Sequence, residues 1–326
     1  MHISAIIPVH NDKTNLGICL AGIRNTIRRP DEIILVDDAS TDGSGASVRN
    51  SDIRKTVLPP PPRGPAFARN HGACLATGDL LVFLDADTSP HPDIFIRIER
   101  EFSENPGISA LFGSYDNQPS HRGLISQYKN LQHHYVHQNS RRDAWTFWAG
   151  CGAIRTDVFR STGGFNVSFA RPSIEDIELG YRLYRSGHQI RLCPHIQVTH
   201  LKKWTLRTWL HSDIFCRAIP WTRLISNMPH IPRDLNVTVD QRLSAVLVWI
   251  EVFLLISGFI RPAAWIGLML ILFIRMRVNK DFYRFLKDRM GGKFIIAAVF
   301  LHGLYLFYSS LIFVLFGGFK TMLQRP

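Results

Sequence analysis

The chain has 326 residues, a formal net charge of +12 and five cysteines. This length allows one α/β domain of ordinary size and an appendage of about 90 residues. Five cysteines with no close pairing argue against a disulfide-based fold and favour reduced thiols in the cytosol. We expect no nucleic-acid partner, since no DNA- or RNA-binding motif accompanies the positive charge, and no cleavable signal peptide.

Apolar runs alternate with helical and turn-rich segments from the N-terminus onward. Residues 3–9 form a short β-rich run that ends in the polar cluster His10-Asn11-Asp12. After a segment with helical periodicity, a second apolar run covers residues 33–36 and ends in Asp37-Asp38. A third run, residues 80–84, follows a further helical segment. This alternation predicts an α/β fold with a mainly parallel sheet.

Two carboxylates one residue apart, Asp85 and Asp87, directly follow the third run. The carboxyl ends of the strands are where open α/β sheets bind ligands. Two carboxylates at this place suit a divalent cation of the Mg²⁺ type that holds a diphosphate. A calcium loop that starts at Asp38 is excluded, because its twelfth position is Arg49 rather than a bidentate Glu.

Five segments, taken in order, resemble the family 2 glycosyltransferases, whose GT-A fold is a Rossmann-like domain that binds nucleotide sugars. The segments are Ile6–Asp12, Val36–Asp42, Ala68–Gly72, Phe83–Asp87 and Ile174–Leu183. The resemblance implies a GT-A domain over residues 1–200, with a nucleotide-sugar donor as its substrate.

The resemblance also implies roles for individual residues on the donor side. Pro8, His10 and Asp12 are expected to border the nucleotide. Asp38 is expected to accept a hydrogen bond from the base, and Arg69 is expected to lie near the base or the diphosphate.

The same resemblance implies a metal site and a general base. Asp85 and Asp87 are expected to bind the sugar-diphosphate and its Mg²⁺ or Mn²⁺, and His200 to complete the metal site. Asp176 falls where the family keeps its general base, and Glu175 is expected to position the acceptor. The chemistry also requires such a base, because an inverting transfer must remove the proton of the acceptor hydroxyl.

The C-terminal region, residues 243–326, carries three predicted membrane spans, at residues 243–260, 263–278 and 294–319. The last would be about 39 Å long as a helix, enough to cross a hydrocarbon core of roughly 30 Å. Residues 275–293 contain seven Lys or Arg and two Asp, a net charge of +5, which predicts a cytoplasmic loop. We therefore expect a multi-pass protein of the bacterial inner membrane, with its catalytic domain in the cytoplasm.

Residues 201–242 are predicted to form amphipathic helices that lie at the membrane surface. Tryptophans and basic residues alternate there: Lys202, Lys203, Trp204, Arg207, Trp209, Arg217 and Trp221. We expect Arg217 and Trp221 to lie on the acceptor side of the site.

The predicted function is inverting, metal-dependent transfer of a single sugar to a polyprenyl phosphate, a glycolipid or a lipid-linked saccharide. The main alternative is a processive polysaccharide synthase, which would carry Gln-x-x-Arg-Trp, whereas three residues separate Arg217 from Trp221 here. A non-catalytic membrane-anchored relative that binds nucleotide sugar or lipid is disfavoured, because all of the motif carboxylates are present. A dinucleotide oxidoreductase would need Gly-x-Gly-x-x-Gly after the first strand, and residues 8–15 contain no glycine.

Overall fold

The structure is a computed structural model that describes residues 1–49, 51–226 and 238–318, so the end of the last predicted span, at residue 319, lies outside the described residues. The strands within these residues are β1 (Ile3–Val9), β2 (Glu32–Asp37), β3 (Ile53–Val57), β4 (Leu80–Leu84), β5 (Thr88–Pro90), β6 (Ile108–Tyr115), β7 (Asp143–Ala144), β8 (Cys151–Arg155) and β9 (Gln189–His200). The α-helices are α1 (Lys13–Arg24), α2 (Pro65–Leu75), α3 (Ile94–Glu104), α4 (Leu124–Asn139), α5 (Thr156–Ser161), α6 (Glu175–Arg185), α7 (Leu206–His211), α8 (Ile219–Ser226), α9 (Val239–Gly258), α10 (Ala264–Val278), α11 (Lys280–Met290) and α12 (Ile295–Phe313). Short π-helical or 3₁₀ stretches cover Ser212–Ala218, Gly292–Phe294 and Val314–Gly318.

The strands form one mixed sheet, in the order β3-β2-β1-β4-β8-β6-β9-β5, with β7 beside β9. Strands β1 to β4 pair in parallel, as their alternation with helices predicts. Strand β8 runs antiparallel to both of its neighbours, whereas β6 and β9 pair in parallel, so the sheet is mixed. The reason is that the chain enters β8 at the carboxyl end of β4, where Cys151 pairs with Leu84. The α/β fold itself is confirmed.

The central strands are buried on both faces, which explains why their sequences are continuous apolar runs. All five residues of β4 are fully buried, and β6 is buried along its whole length. Strand β9 is one strand of twelve residues. Its pairing register with β6 shifts between Leu192 and Gln197, where Pro194 lies.

The chain forms two compact units, and residues 123–136 group with the C-terminal residues. The first unit contains Met1–Arg122 and His137–Lys203, and the second contains Gly123–Val136 and the described residues from Trp204 onward. The linear division predicted from the sequence left residues 123–136 in the first domain. They group with the second unit because Tyr128 and Leu131 belong to a buried apolar cluster with residues of α7, α11 and α12.

Two tryptophans that were expected at a membrane surface lie inside the second unit. Trp209 is fully buried, and Trp204 is 8% exposed. The ring of Trp209 contacts the rings of Tyr128 and Tyr308, and its indole N–H donates to the carboxylate of Asp213 at 2.9 Å. The prediction of a membrane-surface position is therefore wrong for these two tryptophans, because their rings fill a core.

Helices α9 and α10 and the turn between them leave an apolar surface exposed, on which Phe253, Phe259 and Ile266 are more than 60% exposed. Among the described residues, one helical stretch, Gly292–Gly317, is long and apolar enough to cross a membrane. The prediction of three spans, and with it a multi-pass protein, is therefore not supported. Helix α9 carries Glu251 at its centre, and the fifteen residues of α10 extend only about 22 Å.

A buried polar network connects the apolar helices within the second unit. Arg275 is 3% exposed, and its Nε donates to Glu251 at 2.7 Å. Its Nη1 donates to the hydroxyl of Tyr283 at 2.7 Å, and that hydroxyl lies 2.9 Å from Nδ1 of His302. Charges in an apolar environment are tolerated when they are paired in this way, so the network fixes which helix faces meet.

We predict that the same substitution, glycine to alanine, has opposite effects at two helical positions. A Cβ at Gly72 in α2 would lie 2.5 Å from Cγ2 of the buried Ile6 in β1, so Gly72→Ala should destabilise the protein by about 1–3 kcal/mol. A Cβ at Gly17 in α1 would meet no atom within 4 Å, so Gly17→Ala should stabilise it by roughly 0.5–1 kcal/mol. Thermal unfolding of the full chain in detergent measures both. Melting temperatures that shift in the same direction would contradict the close packing of α2 on β1.

Candidate active site

Polar residues from three neighbouring strands meet at one edge of the sheet. Strands β2, β1 and β4 are adjacent and parallel, so their carboxyl ends lie side by side. The residues that follow these ends are His10 and Asp12 after β1, Asp38 after β2, and Asp85 and Asp87 after β4. The structure therefore brings together donor-side residues that the sequence motifs singled out.

Arg69, in α2, bridges two carboxylates, which the sequence analysis did not anticipate. Its Nη2 donates to Oδ1 of Asp85 at 2.7 Å, and its Nη1 donates to Oε1 of Glu175 at 2.8 Å. Arg69 is 5% exposed and Glu175 is 4% exposed. Although burial acts in the opposite direction, the negative charges of Asp85, Glu175 and Asp176 raise the pKa of the Arg69 guanidinium. The charge of Asp85 is therefore compensated within the protein.

Asp87 has a different partner, since its Oδ2 lies 3.8 Å from Nε2 of His200. Pairing between β5 and β9, in which Thr88 lies opposite His200, holds the two residues together. The ring of Tyr115 stacks on the ring of His200 with 4.2 Å between their centroids. Although burial acts in the opposite direction, His200 and the positive charge of Lys202 lower the pKa of Asp87.

The Asp87 and His200 side chains fit a divalent cation that a substrate also binds. A carboxylate oxygen and an imidazole nitrogen 3.8 Å apart can both contact one ion, because metal–ligand bonds are about 2.0–2.2 Å long. Within the described ranges, no group of three or more His, Cys, Asp and Glu side chains could hold a metal ion. The protein would then supply two ligands, and phosphate oxygens of a substrate would supply others. Asp85, which was expected as a further ligand, binds Arg69, so its metal role stays a prediction.

Asp12 and Lys202 contribute opposite charges to this part of the site. Partial burial and the negative charge of Asp87 raise the pKa of Asp12, against a hydrogen bond that Asn15 donates at 3.2 Å. Lys202 is exposed, and its charge acts on both Asp12 and Asp87. Lys202, which the sequence analysis assigned to the membrane surface, therefore also contributes to the electrostatics of the site.

Asp38 and His10 form the part of the site that was expected to face the nucleotide base. The carboxylate of Asp38 accepts hydrogen bonds from the backbone N–H groups of Arg63, at 2.9 Å, and Gly64, at 2.7 Å. Nδ1 of His10 lies 2.7 Å from the carbonyl oxygen of Asp38. Asp38 thus holds the loop that precedes α2. The contacts of Asp38, His10 and Pro8 with a nucleotide stay predictions.

Asp176, the expected general base, is half-buried in the first turn of α6. Its Oδ2 accepts a hydrogen bond from the N–H of Ala149 at 3.1 Å, and its Oδ1 accepts one from the N–H of Ile177 at 2.8 Å. Ala149 follows the half-buried Trp148, whose ring meets the ring of Tyr115 edge-on at 4.8 Å. Since Tyr115 also stacks on the histidine of the cation pair, these residues connect the base to that pair.

Glu175 binds groups of the protein itself, and its role in positioning an acceptor stays a prediction. Glu175 is buried, and its two carboxylate oxygens accept hydrogen bonds from Arg69 and from the N–H of Ser173, the latter at 2.9 Å. Arg217 and Trp221 belong to the second unit, and their acceptor-side role stays a prediction.

Sequence reasoning missed three contributors to the site: Tyr115, the N–H of Ala149 and the charge of Lys202. Tyr115 ends a strand that is buried along its whole length, so no pattern distinguishes it. The N–H of Ala149 is a backbone group, which sequence does not reveal. Lys202 had a signal, because it lies two residues after His200 at the end of β9.

A family model described as "Glycosyl transferase family 2" matches residues 4–163. This range includes the three strand ends and Arg69, and it ends before Asp176 and His200.

Two curated glycosyltransferases each match about two thirds of the chain. The probable glycosyltransferase YdaM of Bacillus subtilis (strain 168) is 25% identical over 222 residues, which are 64% of this chain and 52% of YdaM. A pre-mycofactocin glycosyltransferase of Mycobacterium tuberculosis is 26% identical over 227 residues, which are 65% of this chain and 45% of that protein. The chain thus spans about half the length of the curated relatives it matches.

Two solved structures share the fold. The mannosyltransferase PcManGT from Pyrobaculum calidifontis, in complex with GDP-Man and Mn²⁺, matches with a TM-score of 0.58 and 15% identity, over 100% of this chain and 88% of that chain. S. aureus TarS 1-349 matches with a TM-score of 0.51 and 16% identity, over 95% of this chain and 91% of that chain. At these identities the likeness supports the fold alone.

Proposed function

We propose, since this chain belongs to glycosyl transferase family 2, that it transfers a single sugar from a nucleotide-sugar donor to a membrane-held acceptor, with inversion at the anomeric carbon. The observation that carries this proposal is the division of labour among the carboxylates of the first unit. Asp85 is bound to a buried arginine, Asp87 lies beside His200, and Asp176 is held by backbone N–H groups. These three environments suit the three tasks of the reaction: Asp85 would bind the sugar, Asp87 would bind the diphosphate through a metal ion, and Asp176 would remove the proton of the acceptor.

On the donor side, Asp85 can accept hydrogen bonds from sugar hydroxyls with little repulsion of the diphosphate, because Arg69 compensates its charge. Asp87 and His200 would hold Mg²⁺ or Mn²⁺, which when bound neutralises charge that develops on the leaving diphosphate. The positive charge of Lys202 acts on Asp87, so its ammonium group would supply further positive charge to a diphosphate bound there.

On the acceptor side, Asp176 removes the proton of the acceptor hydroxyl as the oxygen of that hydroxyl attacks the anomeric carbon. The bond between the anomeric carbon and the diphosphate breaks, and its electron pair leaves with the nucleoside diphosphate. The proton remains on the carboxylate of Asp176. One carboxylate is sufficient, since no covalent sugar–enzyme intermediate forms in an inverting transfer.

The proposed acceptor is a polyprenyl phosphate, a glycolipid or a lipid-linked saccharide in a bacterial inner membrane. Support comes from the exposed apolar surface of α9 and α10 and from the apolar stretch Gly292–Gly317. Helix α11, between them, carries Lys280, Arg284, Lys287 and Arg289, and such basic segments favour the cytoplasmic face. We therefore place the reaction at that face, where nucleotide sugars are available.

The proposed cation site predicts a metal-dependent enzyme. Chelator should abolish release of nucleoside diphosphate, and added Mg²⁺ or Mn²⁺ should restore it. Asp87→Ala should lower kcat/KM by at least about 10²-fold, because the variant lacks a ligand of the metal ion, whose interaction with the diphosphate is worth several kcal/mol. His200→Ala tests the second ligand through the Mn²⁺ concentration needed for half-maximal activity. Full activity of Asp87→Ala in chelator would exclude this site.

The proposed base is tested together with the function itself. Membranes that contain the full chain are incubated with a panel of nucleotide sugars and lipid acceptors, and released nucleoside diphosphate and product size are measured. One donor should give a product enlarged by a single sugar, and Asp176→Asn should lower turnover by about 10² to 10⁴-fold with donor affinity retained. Long polymeric products would favour the processive alternative, and a fast Asp176→Asn variant would place the base elsewhere.

Neighbouring lysines provide a matched test of the proposed diphosphate contact. Lys202→Ala should weaken binding of UDP or GDP by about 10 to 10²-fold, as expected when a hydrogen bond between charged groups is lost. Lys203→Ala removes the same charge one residue further on and should change affinity by less than about twofold. Calorimetric titration of both variants measures the difference. Equal losses of nucleotide affinity in the two variants would contradict a specific contact of Lys202 with the diphosphate and would indicate an effect of net charge alone.

A further inference from the structure

We propose that Arg69 is a positioning residue that fixes the general base Asp176 relative to the donor carboxylate Asp85, rather than a residue that contacts the donor. The inference rests on the proposed function, because it assigns Asp176 as the base. It departs from the expectation that Arg69 lies near the nucleotide base or the diphosphate of the donor.

The guanidinium of Arg69 is enclosed by protein groups. One end donates to Asp85 at 2.7 Å and the other to Glu175 at 2.8 Å, and the carbon between them lies 5.5 Å from the centre of the Phe165 ring. Arg69 is only 5% exposed. A side chain with both ends occupied and so little exposed surface is poorly placed to bind a nucleotide.

Glu175 transmits the position of Arg69 to the base. Glu175 is the first residue of α6, and Asp176 is the next. The second carboxylate oxygen of Glu175 accepts the N–H of Ser173 at 2.9 Å, so this side chain fixes the turn that leads into the helix. A displacement of Glu175 would therefore move Asp176 away from the N–H of Ala149.

The energetics make this bridge rigid. A buried charge is strongly destabilised when one partner is removed, because the remaining charge is left without compensation. Loss of either hydrogen bond of Arg69 would therefore be costly. Through these two bonds Arg69 joins segments that lie 16 and 106 residues away from it in the sequence.

The test compares variants at the two ends of the bridge. Glu175→Gln keeps the size of the buried side chain and removes its charge, and Arg69→Gln removes the guanidinium. Positioning predicts that each lowers kcat by about 10²-fold, as for a base displaced by about 1 Å, while Glu175→Gln leaves the Kd for UDP or GDP nearly unchanged. Arg69→Lys, which restores the charge, should recover part of kcat.

A second Arg–Glu pair on the same helix serves as the control. Arg182 donates to Glu178 through Nε at 2.7 Å and through Nη2 at 2.9 Å, and its other hydrogen bonds go to the carbonyl oxygens of Thr162 and Gly164 rather than to Asp85, Glu175 or Asp176. Glu178→Gln should lower the melting temperature and leave kcat near the wild-type value. A purely structural role for Glu175 would make the Glu175→Gln and Glu178→Gln variants behave alike.

Each remaining outcome has a defined meaning. Loss of UDP and GDP binding in Arg69→Gln with full turnover in Glu175→Gln would overturn the proposal and make Arg69 a donor contact. If Glu175→Gln fails to fold, Glu175→Asp, which retains the charge and shortens the side chain, replaces it and should also lower kcat without weakening nucleotide binding. Failure of the proposed function is distinguishable, because the wild-type chain would then release no nucleoside diphosphate from any donor.

Discussion

Negative charge concentrated at one edge of the sheet is the constraint on which the rest of the site depends. Asp12 follows β1 there, Asp85 and Asp87 follow the adjacent strand β4, and a diphosphate substrate would add more negative charge. The fold compensates this charge locally, with Arg69 on Asp85 and with His200 and Lys202 on Asp87. Each carboxylate therefore has its own environment, and residues of the same type can serve different chemical purposes.

Much of this edge could be predicted from sequence because its determinants are local. A buried parallel strand needs a continuous apolar run, so β1, β2 and β4 are recognisable without knowledge of their neighbours. Parallel pairing then requires the polar residues that follow the runs to meet. The position of Asp85 and Asp87 at a strand end, and their proximity to the residues after β1, follow from this argument.

Other features depended on partners that lie far away in the sequence. Arg69 and Glu175 are 106 residues apart, and neither segment alone indicates that its charge is buried. The direction of β8 depends on where the chain returns to the sheet, which its apolar composition does not encode. Trp209 alternates with basic residues as an interfacial residue would, yet Tyr128 and Tyr308 enclose it. Local pattern and burial disagree there because the packing partners come from distant helices.

The Arg275–Glu251 ion pair couples the transfer of α9 and of α10 from water to an apolar phase. Helix α9 brings Glu251 and the last turn of α10 brings Arg275, and an unpaired charge within an inserted helix costs up to roughly 2.5–3.5 kcal/mol on insertion scales. Neither helix is well suited to an apolar phase by itself, whereas together they bury a neutral pair. Transfer of either helix from water into an apolar phase is therefore more favourable when the other helix accompanies it. Membrane association of this region would then be a cooperative event of two helices rather than a succession of independent insertions.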